Sequence, residues 1–270
     1  MSESGLGCYV YCVVRGDQHL PLDGLPGVDQ ELAPGLLIHR ELAALVSGVR
    51  LEEFGAEALK RNLEDLAWLE RTARAHDAVL GRALAGDAIV PMRLCTIFAD
   101  EAGVRQMLDR ERETLLEVLE RLHGHEEWSV KLLADTQSLN AAARERDHAL
   151  AGVAAGSATP TPGREYFARK KQEQGVRERA QAIADEAAQQ THDSLCAHAA
   201  AGILLPPQDP GLSRRAGQMV LNGAYLVERS HAATFGRCAG ELGSRLRAHG
   251  LELELSGPFA PYNFVREQRP

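Results

Sequence analysis

The stretch Cys8-Tyr-Val-Tyr-Cys-Val-Val14 is an unbroken run of aromatic, β-branched and small apolar side chains. Because a charged turn containing glycine follows at Arg15, this run predicts a buried β-strand. Two further short apolar segments, Gly35–His39 and Leu42–Ser47, come next with only the polar pair Arg40-Glu41 between them. That spacing predicts a hairpin, so the chain begins with strands of one sheet.

Helical periodicity follows these strands. From Ala56 to Leu84 apolar residues recur every three or four positions, which predicts a helix with one buried stripe and, given its length, a bend or break. Asp100 is placed to cap a second helix that ends at Gly124. Strands are predicted at Ala88–Met92 and Glu127–Leu133. The stripe of the first helix comprises Leu59, Leu63, Leu66, Leu69, Ala73, Val79, Leu80 and Leu84.

These elements predict an α+β protein with two lobes. Residues 1–133 are expected to form an antiparallel or mixed sheet with helices on one face. Residues 134–163 connect the lobes, and their last part, from Ala151 to Gly163, is small, proline-rich and nearly uncharged, as in a linker. Residues 164–270 form the second lobe, which begins with a long helix from Arg164 to about Ala200. Its later strands and helix are predicted at Gly202–Pro206, Gln218–Val227, His231–His249 and Leu251–Leu255.

The composition is that of an ordinary globular protein. Hydrophobic residues make up 44% and charged residues 25% of the 270 residues, which disfavours disorder and disulfide scaffolds. The net charge of -8 disfavours a general nucleic-acid binder. There is no apolar run long enough to span a bilayer and no start typical of a signal peptide. We therefore expect a cytoplasmic protein that binds neither nucleic acid nor membrane.

The five cysteines show no pattern of a metal site. They are odd in number and include no CxxC or CxxH spacing. Cys8 and Cys12 lie four residues apart on the first predicted strand, so we expect them to share one face at a separation of about 13 Å, too far for a disulfide.

Catalytic motifs are absent from the sequence. It has no P-loop, no GxGxxG after a strand, no GxSxG and no HExxH, so we expect no catalytic residue and no cofactor. His76 falls on the buried stripe, where a hydrogen-bonded structural histidine is more common than a general base or ligand. Arg93 is its expected partner and could fork onto a carboxylate or bind an anion. The alternative hypothesis is an enzyme or small-molecule-binding protein with His76 and Arg93 in a cleft.

The C-terminal stretch Ser256-Gly-Pro-Phe-Ala-Pro-Tyr-Asn-Phe264 combines two prolines with three aromatic rings. Prolines remove backbone donors, so this tail is not expected simply to extend a sheet. The segment is expected to pack on its own domain, while rings such as Tyr262 and Phe264 could also anchor a protein interface. A basic run, Arg169-Lys170-Lys171, is a candidate site for an acidic partner.

Several of these segments together resemble the gas vesicle protein L/F family. The resemblance rests first on Tyr9-Val-Tyr11 and His76, and on Val90-Pro-Met-Arg-Leu-Cys-Thr96, which is similar to the family's proline, leucine, arginine, phenylalanine, glycine, threonine motif. Glu127–Lys131 and Gly163–Lys171 also match. Gly257-Pro-Phe-Ala-Pro-Tyr-Asn-Phe264 is similar to the family's ending.

The sequence also departs from the family pattern at four positions. Cys95 replaces the glycine of the central motif, and in the ending Phe259 replaces a tryptophan, Ala260 a proline and Asn263 a serine. These departures affect the expected local backbone geometry, because the aromatic and turn-forming character is otherwise kept.

The resemblance implies a non-catalytic accessory protein with two α+β lobes, the second ferredoxin-like. It also implies a role in gas vesicle formation, at the vesicle and in the cytoplasm, through binding of the shell protein and other gas vesicle accessory proteins. The candidate contact residues are Arg93, Arg169, Lys170, Lys171, Tyr262 and Phe264.

Overall fold

The run that opens the chain forms a long strand, β1 (Leu6–Arg15), within the first sheet. The structure is a computed structural model and describes residues 5–151, 162–207 and 217–265. The backbone divides into two units, of which the first contains the residues up to Glu127 and those from Pro258 on. The second unit runs from Trp128 to Gly257.

The first unit is a sheet with helices. After β1 its elements are β2 (Gly35–His39), β3 (Leu42–Arg50), α1 (Leu51–Phe54), α2 (Ala56–Asn62), α3 (Leu66–Leu84), β4 (Val90–Pro91), β5 (Ile97–Phe98), α4 (Glu101–Arg110) and α5 (Arg112–Leu122). The sheet order is β2-β3-β1-β4, with β5 also paired to β1, and these pairings are antiparallel. The predicted hairpin is confirmed as β2 and β3.

A β-bulge in β1 determines which side chains face α3. The register against β3 shifts between Val10 and Cys12, and Tyr9, Tyr11 and Cys12 all belong to the core cluster that α3 completes. Cys8 lies outside that cluster. The expectation that Cys8 and Cys12 share a face is therefore wrong, because the extra residue of a bulge reverses the alternation of side chains.

The break in the first long helical segment is confirmed, and it changes the predicted stripe. Asp65 caps α3 by accepting hydrogen bonds from the amides of Ala67 at 2.9 Å and Trp68 at 3.3 Å. Leu63 and Leu66, on either side of this cap, are 46% and 79% exposed. They are not buried stripe residues, because the new start at Asp65 rotates the face that α3 turns to the core.

Helices cover both faces of this sheet, so the expectation of helices on one face is wrong. α3 completes the core beside Tyr9 and Tyr11, while α4 and α5 also contact β1. Two layers follow from the sequence of β1, since a strand of continuous apolar residues must be covered on both faces. The predicted ends of the second helical segment are confirmed: Asp100 accepts from the amide of Gly103 at 2.9 Å, and Gly124 has a φ of 70°.

The second unit contains one sheet and three helices among the described residues. Its elements are β6 (His125–Ala134), whose first residues belong to the first unit, α6 (Thr136–Ala151), α7 (Pro162–Cys196), β7 (Ala201–Leu204), β8 (Gln218–Glu228), α8 (Ala232–Arg247) and β9 (Leu251–Phe259). The sheet order is β7-β8-β6-β9. With α6 and α7 counted as one helical connection, this is the element order of the ferredoxin-like β-α-β-β-α-β motif.

The last strand is longer than predicted. β9 continues past Leu255 through Gly257 and Pro258 to Phe259. The expectation that the prolines prevent this tail from extending the sheet is wrong for Pro258. β9 is an edge strand, and proline is tolerated where its missing N–H faces away from a neighbouring strand.

The predicted linker falls partly outside the described residues. Most of the predicted linker, from 152 to 161, lies there, whereas α7 begins at Pro162. The domain bounds 1–133, 134–163 and 164–270 stay a prediction. Among the described helices, none combines the length and apolar character required to cross a bilayer.

Candidate interaction site of the first unit

His76 lies at the centre of a chain of hydrogen bonds inside the first unit. Its Nδ1 is 2.9 Å from the hydroxyl of Tyr9, and its Nε2 is 2.8 Å from the hydroxyl of Tyr262. The Tyr262 hydroxyl donates to the carbonyl of Met92 at 3.2 Å, and the backbone N–H of Cys95 donates to the Tyr9 hydroxyl at 3.1 Å. The expected partner of His76, Arg93, is therefore replaced by two tyrosines.

The two ends of this series of hydrogen bonds determine which atom donates in each bond. Because Tyr262 gives its proton to a carbonyl, its oxygen accepts from Nε2–H of His76. Nδ1 then carries no proton and accepts from Tyr9, whose oxygen in turn accepts from the amide of Cys95. With a neutral imidazole, every polar group in this series has a hydrogen-bond partner. A protonated imidazole would place its Nδ1–H opposite the Tyr9 hydroxyl, which donates to that nitrogen in the neutral form.

The electrostatics of the site agree with this arrangement. His76 is only 1% exposed, and burial lowers its pKa to about 4 against a smaller opposing effect of the Met92 carbonyl. Burial also raises the pKa of both tyrosine hydroxyls well above the usual range. At neutral pH the three groups are therefore uncharged, and each is hydrogen-bonded to another group of the first unit.

The turn from Met92 to Thr96 is fixed by several backbone contacts. The amide of Met92 donates to the carbonyl of Tyr11 at 2.8 Å, and the amide of Val10 donates to the carbonyl of Thr96 at 2.9 Å. Within the turn, the amide and the hydroxyl of Thr96 donate to the carbonyl of Arg93 at 3.1 and 2.7 Å. The turn therefore presents Arg93 from a defined backbone.

Cys95 adopts a left-handed conformation with a φ of 62°. Non-glycine residues seldom occupy this region. This is the position at which the resembled family motif has glycine, so the structure supplies the physical reason for that glycine.

The side chain of Arg93 is exposed to solvent. Among the part of the chain that the structure describes, its guanidinium makes no hydrogen bond or ion pair. Tyr262, whose hydroxyl donates to the carbonyl of Met92, is 40% exposed as a residue. Arg93 and Tyr262 are thus both exposed, and Tyr262 bonds to the residue directly before Arg93, while His76 is buried.

The C-terminal segment is anchored within the first unit by its last described residues. Asn263 donates to both carboxylate oxygens of Glu127, from its backbone N at 3.0 Å and from Nδ2 at 2.6 Å. Burial raises the pKa of Glu127, which is 4% exposed, and the two bonds from Asn263 oppose that effect. Phe264 is 7% exposed, and its carbonyl accepts from Arg121 at 2.9 Å. Phe264 therefore packs on its own unit.

The basic run proposed for an acidic partner lies on α7 of the second unit. Lys170 and Lys171 are exposed, whereas the side chain of Arg169 is outside the described part of the chain. The role of the basic run Arg169-Lys170-Lys171 as a contact site stays a prediction.

Two clefts on the first unit are lined by residues other than His76 and Arg93. One, of about 360 Å³, is lined by Arg15, Asp17, Gln18, Asp87, Glu120 and His123. A shallower one is lined by Gln30, Ala67, Glu70, Arg71, Arg74 and Ala75. In the described ranges no group of three or more His, Cys, Asp and Glu side chains is arranged to hold a metal ion.

Sequence reasoning missed two important partners at this site. Tyr9 is predicted only as a strand residue, and no local sequence signal pairs its hydroxyl with His76, which lies 67 residues away. Glu127 is predicted only as the first residue of a strand, although burial of an acidic side chain requires a partner such as Asn263.

Comparison with known proteins gives one consistent result. The family model described as gas vesicle synthesis protein GvpL/GvpF matches residues 7–266. Gas vesicle protein L of Streptomyces sp. (strain CB03234) is 36% identical over 257 residues, covering 95% of this chain and 92% of the relative. Gas vesicle protein F of the same strain is 27% identical over 261 residues, covering 96% of this chain and 100% of the relative.

Solved structures agree with the fold. The crystal structure of GvpF from Anabaena sp. PCC7120 superposes with a TM-score of 0.66 at 19% identity, covering 98% of both chains. That of GvpF from Microcystis aeruginosa gives 0.65 at 18% identity, covering 96% of this chain and 99% of that one. With the sequence match along almost the whole chain, these findings place the protein in the GvpL/GvpF family of gas vesicle synthesis proteins.

Proposed function

We propose that this protein is a non-catalytic accessory factor of gas vesicle formation that binds the vesicle shell protein and other accessory proteins. The family match over residues 7–266 supplies the biological setting. A contrast between neighbouring residues supports this mode of action. His76 is buried with both ring nitrogens hydrogen-bonded, while Arg93 and Tyr262 are exposed to solvent. Exposed cationic and aromatic side chains are suited to protein contacts.

A vesicle shell needs such a factor for a physical reason. Shell subunits with exposed apolar surface are liable to aggregate before they assemble. An accessory protein that binds these subunits or their other partners would keep them available for growth. This role requires a specific surface and no catalytic group.

The experiment is a pull-down with the full chain as bait from cells that form vesicles, combined with deletion of its gene. We expect shell or accessory proteins to be retained and vesicle yield, counted by electron microscopy, to fall in the deletion strain and to return on complementation. Normal vesicles in the deletion strain, together with no vesicle protein retained, would contradict the proposal.

Localisation is tested by mass spectrometry of purified intact and collapsed vesicles. We propose that the protein acts in the cytoplasm and at the vesicle, so it should be found in both the soluble fraction and the vesicle fraction. Absence from the vesicle fraction would restrict it to a transient complex.

The alternative of an enzyme or small-molecule binder that uses His76 and Arg93 is not retained. It requires both side chains to converge on an open cleft, whereas His76 is 1% exposed and hydrogen-bonded to two tyrosines. Arg93 alone supplies charge without a proton donor or acceptor near neutral pH.

A further inference from the structure

The turn Met92–Thr96 has the properties of a prebuilt recognition element. Its backbone is held by bonds from Tyr9, Val10 and Tyr262, and these contacts keep Cys95 in a conformation that is unfavourable for a side chain. A strained residue held in place by its surroundings often marks a functional turn. The side chain displayed outward by this turn is Arg93.

The neighbouring groups restrict what Arg93 can bind. The hydroxyl of Thr96 is used on the Arg93 carbonyl, and the hydroxyl of Tyr262 is used on the Met92 carbonyl. Neither hydroxyl is therefore free to join the guanidinium as a second donor. A carboxylate is matched in geometry and in charge by the two parallel N–H groups of one guanidinium, whereas a phosphate dianion would keep one of its two charges unmatched.

The exposed part of the Tyr262 ring supplies the apolar half of the site. Tyr262 as a whole residue is 40% exposed, and its hydroxyl lies 3.2 Å from the carbonyl of the residue directly before Arg93. One exposed ion pair contributes little by itself, so the ligand must also bury apolar surface on this ring. A free small acid offers no such surface, but a protein segment does.

We propose that Arg93 and Tyr262 form a docking site for a partner segment that presents an Asp or Glu carboxylate beside an apolar side chain. The guanidinium forks onto the carboxylate, and the apolar side chain lies on the tyrosine ring. This inference rests on the proposed function, because the partner is taken to be another vesicle protein. It adds the chemistry by which that partner is recognised.

The test uses the full chain and overlapping synthetic peptides that cover the vesicle shell and accessory proteins of the same organism. Each peptide is made with its natural acidic residues and with every Asp and Glu replaced by Asn and Gln. Binding is measured by fluorescence anisotropy at low and at moderate salt. We expect a subset of acidic peptides to bind at least tenfold more tightly than their amide versions, and the difference to shrink as salt screens the pair.

Matched variants assign the effect to this site. Arg93→Glu should remove the preference for the acidic peptides, Arg93→Lys should keep part of it because the charge remains without the fork, and Tyr262→Ala should weaken binding of both versions. Arg247→Glu changes an equally exposed arginine of the second unit and should have no effect. Thermal unfolding checks that each variant is folded.

The outcomes separate this inference from the proposed function. If the wild-type chain retains vesicle proteins but Arg93→Glu binds all peptides as the wild type does, the docking site is wrong and the proposed function stands. The same holds if the wild-type chain binds no peptide, or binds acidic and amide versions equally. If the wild-type chain retains no vesicle protein and the deletion strain forms normal vesicles, both are overturned.

Discussion

At the scale of single residues, Tyr9 and Tyr262 each form one hydrogen bond with His76, Tyr9 as donor and Tyr262 as acceptor, in different surroundings. Tyr9 is fully buried, so Tyr9→Phe leaves both the Cys95 amide and Nδ1 of His76 without a partner. We expect this change to lower the free energy of unfolding by about 1–3 kcal/mol. Tyr262→Phe should cost about 1 kcal/mol or less, since water can reach a residue that is 40% exposed. Urea unfolding gives both values, and a larger loss for Tyr262→Phe would contradict the assigned chain of bonds.

The buried imidazole of His76 also makes stability depend on pH. Its pKa is about 4 in the folded protein, below the ordinary 6.5, so between these values the unfolded chain binds more protons. Stability is therefore complete above pH 6.5, falls as the pH drops toward 4, and changes no further from this group below it. The expected loss between pH 7 and pH 4 is about 3 kcal/mol.

His76→Gln isolates this contribution. A glutamine offers one acceptor and one donor, as the neutral imidazole does, but it does not titrate. Urea unfolding at a series of pH values should show that the free energy of unfolding falls less in this variant than in the wild type, by about 3 kcal/mol. His123→Gln, which changes an exposed histidine paired with Asp87, is the control and should leave the fall almost unchanged. Equal pH dependence of His76→Gln and the wild type would refute the assignment.

Cys95 allows the left-handed turn to be tested directly. Cys95→Gly removes the unfavourable φ of 62°, worth about 1–2 kcal/mol, but it gives the unfolded chain more freedom and removes a half-buried side chain. We expect a net change within about 1 kcal/mol. Cys95→Val adds a β-branched side chain at the same φ and should be less stable than Cys95→Gly by at least about 1 kcal/mol. Thermal and urea unfolding of the pair decide this, and a more stable valine variant would show that the turn is not constrained.

At the scale of elements, the pair Glu127 and Asn263 joins the start of β6 to the C-terminal segment. Glu127→Gln places an amide donor where Asn263 also donates, and it should destabilise the protein by about 1–3 kcal/mol. Adding Asn263→Asp turns that side chain into an acceptor. The double variant should recover part of the loss, which is the coupling that a double-mutant cycle measures. Hydrogen exchange at residues 262–264 reports the same rescue, and strictly additive losses would mean that the two side chains do not pair.

Element prediction succeeded where one physical signal acted alone. The apolar run of β1, the hairpin at Arg40-Glu41 and the cap at Asp100 are local signals, and all three are confirmed. It failed where a neighbouring element changed the outcome. The bulge that moves Cys12 to the face of Tyr9 is stabilised by pairing with β3, and Pro258 is accepted in β9 because that strand lies at an edge.

The candidate site shows the same division between local and tertiary information. His76 was identified from its place on a helical stripe, and its structural role was favoured because buried neutral histidines are common. Its partners could not be predicted, since Tyr262 lies 186 residues away in sequence. Such a contact depends on the return of the chain end to the first unit, for which the sequence between them carries no local signal.

At the scale of the whole molecule, the first unit is discontinuous, because the residues from Pro258 on belong with those up to Glu127. Removing the C-terminal residues should therefore destabilise the N-terminal part of the first unit. A chain that ends after Phe259 keeps all of β9 but lacks Tyr262, Asn263 and Phe264. His76 and Glu127 then lose their partners, and the buried ring of Phe264 is lost.

We expect this truncation to lower the stability of the first unit by at least about 3 kcal/mol, since burial of the phenylalanine side chain alone contributes about 1.5–3 kcal/mol. Hydrogen exchange should show lost protection in β1 and α3 and unchanged protection in β8 of the second unit. A full-length chain with Tyr262→Ser, Asn263→Gly and Phe264→Ser is the control, and it should reproduce the effect because the side chains, not the chain length, make the contacts. Uniform loss of protection across both units would show instead that the two unfold as one cooperative body.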